Sequence, residues 1–316
     1  MSSRLPVQRA DTLLARAPDQ QWLVEKLWAA EAVGIIGGEP KCGKSFLALD
    51  LAVSVASAQP CLGHFRPVTT GRVLLYAAED ALHVVRQRLE GICAAAQIDI
   101  STLDLFVITA ASLRLDRADD RERLTNTVEQ ARARLLVLDP FVRLHAIDEN
   151  AVGEVAPLLA YLRTLQRDHH LAVALVHHAR KAAAHARPGQ ALRGSSEFHA
   201  WGDSNLYLRR RSDHLLRLTI EHRAARAPDD VLLALHTDND VLALRVVESH
   251  ANDGAPPRAD TTELIAQTLA AAAGPLTVRQ LRAACRMRTD TICKTLDALT
   301  SAGRVLKSDH GFRLAP

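Results

Sequence analysis

A short apolar run, residues 32–37, ends in the octapeptide GEPKCGKS (residues 38–45), and a helical pattern begins at once with Phe46. A buried strand that turns directly into a helix through GxxxxGKS leaves few folds open. The glycines let the backbone curl so that successive N–H groups point at one anion, and the helix N-terminus adds its partial positive charge at the same spot. A phosphate chain is the anion that fits. The whole loop, Gly38, Glu39, Pro40, Lys41, Cys42, Gly43, Lys44, Ser45 and Phe46, is therefore the expected contact surface. Lys44 is placed to reach the β and γ phosphates, and the Ser45 hydroxyl to ligate Mg2+.

A nucleoside triphosphate needs its metal held from a second direction. Residues 135–139, LLVLD, form an apolar strand ending in a carboxylate, Asp139, which fits that task. Hydrolysis also needs a residue that orients or deprotonates water. Residues 74–80, LLYAAED, place Glu79 at the C-terminal end of a strand, where ligands bind in open α/β sheets. Asp80 is expected to cap the next helix, leaving Glu79 free; simple capping by both carboxylates is the alternative. His177 and His178 end another apolar strand, LAVALVHH. Adjacent strand residues face opposite ways, so the pair is a poor metal chelate. One histidine facing the γ-phosphate and a purely structural histidine both remain open from spacing alone.

Around these motifs, apolar runs alternate with helical periodicity from residue 32 to about 247. Residues 46–58, 82–96 and 152–166 read as helices, and residues 72–78, 105–108, 135–138 and 171–176 as strands. Strands separated by helices of this length pair in parallel. Residues 205–208, 215–221, 231–235 and 241–247 are strands without intervening helices, which extend the sheet by antiparallel hairpins. Residues 1–31 start polar and then carry Trp22, Leu23, Leu27 and Trp28 at helical spacing, so a short docking helix is expected. The main domain is thus assigned to residues 32–249.

Residues 250–259, with Gly, two prolines and no periodicity, read as a linker. In residues 260–316, Asp260 with Glu263 and Thr277 with Gln280 look like capping boxes for two helices. Val278, Leu281 and Cys285 face one way on the second; Ile292, Leu296 and Leu299 do so on a third helix, residues 289–302. Residues 304–314 read as two strands joined by a turn. Three helices followed by a hairpin are similar to a winged helix-turn-helix domain, a DNA-binding unit.

The composition, 316 residues with 39 Lys plus Arg against 36 Asp plus Glu and 48% apolar, is globular and excludes general disorder. No uncharged apolar run approaches membrane-spanning length and the start lacks a signal-type stretch, so a cytoplasmic protein with no membrane contact is expected. Five dispersed cysteines, never spaced CxxC, fit neither a disulfide framework nor a zinc knuckle. The net charge of +3 is uneven: from Arg258 onward there are nine basic residues against five acidic, while the rest of the chain holds 30 against 31. Arg279, Arg288, Lys294 and Lys307 lie on the expected helices and wing, where phosphate contacts are needed.

The segments GEPKCGKSFLALDLA, GRVLLYAAED, LLVLDP, ALVHHARK and ALRGSS, in this order, resemble the RecA-like ATPases of the RepA type, hexameric plasmid replicative helicases and their AAA-labelled relatives, over about residues 20–248. The resemblance implies an α/β fold, a RecA-like P-loop NTPase core with a mixed, mainly parallel sheet. It also implies ATP with Mg2+, and a homo-oligomeric ring, a hexamer favoured, with sites between subunits. By position, Lys44 and Ser45 match the Walker A pair, Asp139 the Walker B carboxylate, Glu79 the catalytic glutamate and His178 the γ-phosphate sensor. Arg180, Lys181, Arg187 and Arg193 fall in a stretch that resembles the loop lining the ring channel, where basic side chains track single-stranded DNA.

Two departures stand out. The position expected for an arginine that reaches the neighbouring subunit holds Asp203, leaving Arg209, Arg210, Arg211 and Arg223 as candidates. The winged-helix unit, expected to bind duplex DNA, is not a feature of the simplest RepA helicases. The leading expectation is an ATP-driven DNA motor or remodeller, with plasmid replication, mobile-element maintenance and phage-related functions all open as its process. The alternative is an ATP-gated DNA-binding regulator or replication initiator with slow turnover and no helicase activity. A small-molecule kinase ranks below both, because nothing resembles an acceptor-binding lid.

Overall fold

The computed structural model describes residues 7–13, 21–178, 197–212, 214–238, 241–247, 261–272, 274–285, 292, 295–296, 299–300, 302–308 and 311–315. Near the start, Trp22–Val24 (β1) and Trp28–Ala29 (β2) pair as a short antiparallel ribbon. This corrects the helix expected there. Four apolar residues within seven positions satisfy either period, and backbone partners decide: Glu25 N–H donates to Arg66 at 2.8 Å and Val68 N–H to Leu23 at 2.9 Å. Those partners lie some forty residues away in sequence, beyond the reach of a local pattern. Of the four residues, Leu23, Leu27 and Trp28 are buried, at 2% exposure or less, and Trp22 is half-buried.

The larger unit, Met1–Glu248, is built on a nine-stranded sheet. In chain order its strands and helices are β3 (Val33–Gly38), α1 (Lys44–Ser57), β4 (Val73–Ala77), α2 (Leu82–Ala95), β5 (Leu105–Val107), α3 (Ala118–Ala131), β6 (Leu135–Asp139), α4 (Val152–His169), β7 (Ala172–His178), α5 (Glu197–Trp201), β8 (Ser204–Arg210), β9 (Leu215–His222), β10 (Val231–Asp238) and β11 (Val241–Val246). The strand order is β11-β10-β9-β8-β3-β7-β6-β4-β5. From β8 to β5 all neighbours are parallel, and β8 to β11 are antiparallel. This is the expected mixed, mainly parallel sheet.

The apolar alternation of the strands builds two cores. Val73, Leu75, Leu135, Val137, Ala174 and Val176 point to the face covered by α1, α2 and the β1-β2 ribbon. Leu74, Tyr76, Leu136, Leu138, Val173 and Leu175 point to the face covered by α3, α4 and α5. Helix α3 has no counterpart among the sequence expectations. Its segment, ADDRERLTNTVEQA, is mostly charged and polar, and it docks through Leu124 and Val128, one turn apart.

The smaller unit, Ser249–Pro316, contains α6 (Thr261–Ala270), α7 (Val278–Cys285) and the hairpin β12 (Val305–Ser308) with β13 (Gly311–Leu314). Ile265, Leu269, Leu281, Ile292, Leu296, Leu299 and Val305 form its core. The Thr277 capping box forms as read: Gln280 Oε1 accepts from Thr277 N–H at 2.9 Å, and Thr277 Oγ1 from Gln280 N–H at 3.3 Å. Leu276 bridges to Phe312, so the segment before α7 lies beside the hairpin. The linker, residues 250–259, and Asp260 lie outside the described residues, as does much of the expected third helix. No helix among the described residues is long and apolar enough to cross a membrane.

Candidate functional site

Because β3 sits between β7 and β8, and β6 beside β7, the C-terminal ends of β3, β4, β6 and β7 open on one side of the sheet. The loop after β3 turns there into α1. Its glycines are required by geometry. A Cβ at Gly38 would stand 2.5 Å from the Leu208 carbonyl oxygen and 2.8 Å from the Cys42 sulfur, and Gly43, with φ at +86°, holds the left-handed conformation that starts the helix.

A pocket of about 680 Å³ is lined by Pro40 to Phe46 of the loop, Glu79, Asp139 and His178, while Gly38 and Glu39 of the expected contact surface are not part of its lining. Lys44 is 4% exposed, and its ammonium donates to the Glu39 carbonyl at 2.7 Å. Burial lowers its pKa, opposed by the charges of Cys42, Asp139, Glu79 and Glu39. Asp139 is 8% exposed, and burial pushes its carboxyl up to about 6; the Ser45 hydroxyl bonded to it and the Lys44 charge act in the other direction. A buried ammonium and a buried carboxylate beside an open cavity are costly to the fold. Such a pair is suited to receive a polyanion and a cation together.

That donor set fits Mg2+. Ser45 and Asp139 would offer it two oxygen ligands, and Mg2+ characteristically takes one or two protein oxygens with the rest from phosphate and water. No group of three or more His, Cys, Asp or Glu suited to a metal occurs among the described residues.

The two carboxylates after β4 behave differently from expectation. Asp80 does not cap α2, whose N-cap is Ala81 without a side-chain bond. Arg88, two turns along α2, grips both Asp80 oxygens and also lies over the Phe46 ring at 5.3 Å. Glu79 is not free: its Oε1 accepts from Arg143 Nε at 3.0 Å. Arg143 belongs to a short turn, Phe141–Arg143, immediately after β6. The two histidines divide as strand geometry requires. His178 lines the pocket, while His177, 1% exposed, stacks on Phe198 with ring centroids 4.3 Å apart.

The far wall of the pocket comes from the antiparallel strands, through Leu216, Leu235 and Leu244, with Arg210 and His214 beside them. Arg210 Nη2 donates to the Lys41 carbonyl at 3.2 Å, so this candidate for reaching a neighbour lies against its own phosphate loop. Arg223 pairs with Asp203 at 3.6 Å, and Asp203 is also held by Arg163. Arg211 is exposed and Arg209 half-buried. Arg180, Lys181, Arg187, Arg193, Arg288 and Lys294 lie outside the described residues; the backbone of Arg279 belongs to α7, and Lys307 is exposed with its ammonium 5.9 Å from the Phe312 ring centre.

Sequence reasoning missed Arg88, Arg143, His214 and the leucine wall. Arg88 carries a faint signal, since it sits eight residues after Asp80 on the face two turns along α2. Arg143 carries none, because 64 residues separate it from Glu79.

A phosphate loop, a strand-end carboxylate and a six-stranded parallel core in this order define a RecA-like P-loop ATPase fold. Residues 2–184 match the AAA domain family, more than half of the chain, and the protein belongs to that family. Among solved structures, the RadB recombinase is 14% identical with a TM-score of 0.51, spanning 69% of this chain and 92% of its own. A DnaB-like replicative helicase is 16% identical with a TM-score of 0.53, spanning 68% of this chain and 57% of its own. A KaiC-like protein of Pyrococcus horikoshii OT3 is 14% identical with a TM-score of 0.49. The likeness is one of fold, and nucleotide binding follows from the family.

Proposed function

We propose that the protein is an ATP-dependent DNA motor or remodeller of the RepA-like hexameric type, acting at a nucleotide site completed by a neighbouring subunit. The observation that carries the reading is the single pocket joining Lys44, Ser45, Asp139, Glu79 and His178. Lys44 clamps the β and γ phosphates, and Ser45 and Asp139 hold Mg2+. When bound, Mg2+ neutralises the phosphate charge that develops as the terminal group leaves. Glu79 takes a proton from the attacking water, and His178 hydrogen-bonds the γ-phosphate and reports its loss along β7.

The basic residues Arg180, Lys181, Arg187 and Arg193 come two to fifteen residues after His178 in the sequence, which is the link proposed between the γ-phosphate and these side chains. They track single-stranded DNA, and residues 260–316, as a winged helix, bind duplex through Arg279, Arg288, Lys294 and Lys307. The fold likeness to a recombinase and a replicative helicase supports a DNA substrate. Arg209, Arg210, Arg211 and Arg223 are the arginines proposed to reach a neighbour's site, although Arg210 and Arg223 also bond within their own subunit.

One observation favours the second reading, an ATP-gated DNA-binding regulator: Asp203, where the reaching arginine is expected, is an acidic residue tied to Arg163 and Arg223. ATP turnover with and without single-stranded DNA, measured beside strand displacement on a forked duplex, separates the two. A motor shows stimulation and displacement; absence of both leaves the regulator.

A further inference from the structure

Glu79 and Asp80 are neighbours with arginine partners of different character. Asp80 is gripped through both oxygens by Arg88, with side chains only 28% and 24% exposed, and Arg88 is further fixed over Phe46. Glu79 has a single bond to Arg143, and these side chains are 41% and 61% exposed. Of the two carboxylates, Glu79 therefore has the partner that faces solvent and is open to exchange. The turn carrying Arg143 is anchored at its other end. Phe141 is fully buried, with its ring 4.3 Å from His145, 5.8 Å from His177 and 5.2 Å from Phe198, centre to centre. Arg143 can change partners while the backbone that presents it stays put.

We propose that Arg143 is a positioning residue that withholds the Glu79 carboxylate from water in the resting subunit, and that a nucleic-acid phosphate taking the Arg143 guanidinium releases it. The proposal rests on the reading of Glu79 as the general base. A guanidinium forms charge-assisted bonds with phosphate at least as readily as with carboxylate, and its fork matches two phosphate oxygens. While Arg143 holds Oε1, that oxygen is occupied and the carboxylate is turned toward the arginine. Once released, it accepts the proton of the water whose oxygen bonds to the γ-phosphorus. The bond from that phosphorus to the β–γ bridging oxygen breaks, its electron pair leaves with ADP, and the proton passes from Glu79 to solvent. His177, whose ring packs edge-on against Phe141 and stacks on Phe198, precedes the pocket residue His178, so the anchored turn and that wall of the pocket share one packing cluster.

The magnitude sets the character of the device. A solvent-exposed ion pair couples its partners by about two- to fivefold in an equilibrium. The release is therefore graded modulation rather than an on-off gate.

The test is ATP turnover of the full chain, with and without oligothymidylate, for the wild type, Arg143→Ala, Arg143→Lys and Glu79→Gln. Arg143→Ala is expected to raise kcat without oligothymidylate by about two- to fivefold, with KM for ATP unchanged, and to lose further stimulation. Arg143→Lys keeps the charge without the fork and is expected to retain part of the restraint and part of the stimulation. A fall in basal kcat in Arg143→Ala, or stimulation equal to the wild type's, overturns the proposal. If Glu79→Gln turns over like the wild type, the reading of Glu79 itself fails; if Glu79→Gln is inactive while Arg143→Ala matches the wild type, only the restraint by Arg143 fails.

Discussion

Lys44 shows how a single residue divides its effects between fold and function. Its ammonium is buried, its pKa is lowered by that burial, and its hydrogen bond is to a carbonyl, not to a carboxylate. Holding a charge in that place costs stability, and in the proposed role a bound phosphate chain would offset the lost solvation. Lys44→Ala should therefore lower ATP turnover by at least about 10²-fold, the usual cost of removing a preorganised charge from a transition state. The melting temperature of the nucleotide-free protein should not fall. Activity and thermal unfolding, measured side by side, check both halves, and normal turnover would place the phosphate clamp elsewhere. Asp139 is the complementary case: a buried carboxylate beside the Ser45 hydroxyl is short of positive charge, and Asp139→Asn should remove the Mg2+ dependence of nucleotide binding, read by titrating Mg2+ at fixed nucleotide. These residues were legible in the sequence because phosphate chemistry fixes both residue types and spacing. Arg143 and Arg88 were not, since only the fold brings them to Glu79 and Asp80.

Between elements, the same limit separates what a local pattern reveals from what tertiary pairing decides. Strands β3, β4 and β6 were readable because each is a short apolar run with a helical pattern after it. The β1-β2 ribbon was not, since its backbone partners are at residues 66–68, and α3 was not, since two apolar residues dock it. The join between α1 and β11 is a further contact of this kind. Asp50 on α1, 3% exposed, accepts from Arg245 of β11 at 3.2 Å and from the Leu62 N–H. Asp50→Ala leaves a partly buried arginine and a buried N–H unmatched, and should destabilise the larger unit by about 3 kcal/mol. Burial raises the Asp50 pKa despite those partners. A carboxyl with a higher pKa folded than unfolded binds more protons in the native state across that interval. Its contribution to stability is therefore largest below the unfolded pKa and is lost as pH rises through the folded value. Asp50→Asn should flatten that part of the stability–pH curve in denaturant titrations; an unchanged slope would mean that other groups set it.

At the scale of the whole molecule, the charge is divided unevenly between two units that each bury a core of their own. From Arg258 onward there are nine basic residues against five acidic, beside a nearly neutral remainder, so under the proposed function the attraction for duplex DNA would come from the smaller unit. Removing residues 249–316 should then abolish duplex binding while leaving basal ATP turnover within about twofold, because every pocket residue belongs to the larger unit and the two cores are separate. Counterion release gives a finer measure. Each side chain that neutralises a phosphate contributes about 0.9 to the slope of log affinity against log salt. Lys307 is exposed on the β12-β13 hairpin, and Lys307→Ala should reduce that slope by about one while weakening all sequences equally, since a phosphate contact carries no base information. Fluorescence-anisotropy titrations of a labelled duplex across a salt series make the comparison. Duplex affinity that survives the deletion would move DNA recognition into the larger unit, and a slope unchanged by Lys307→Ala would remove the hairpin from the interface.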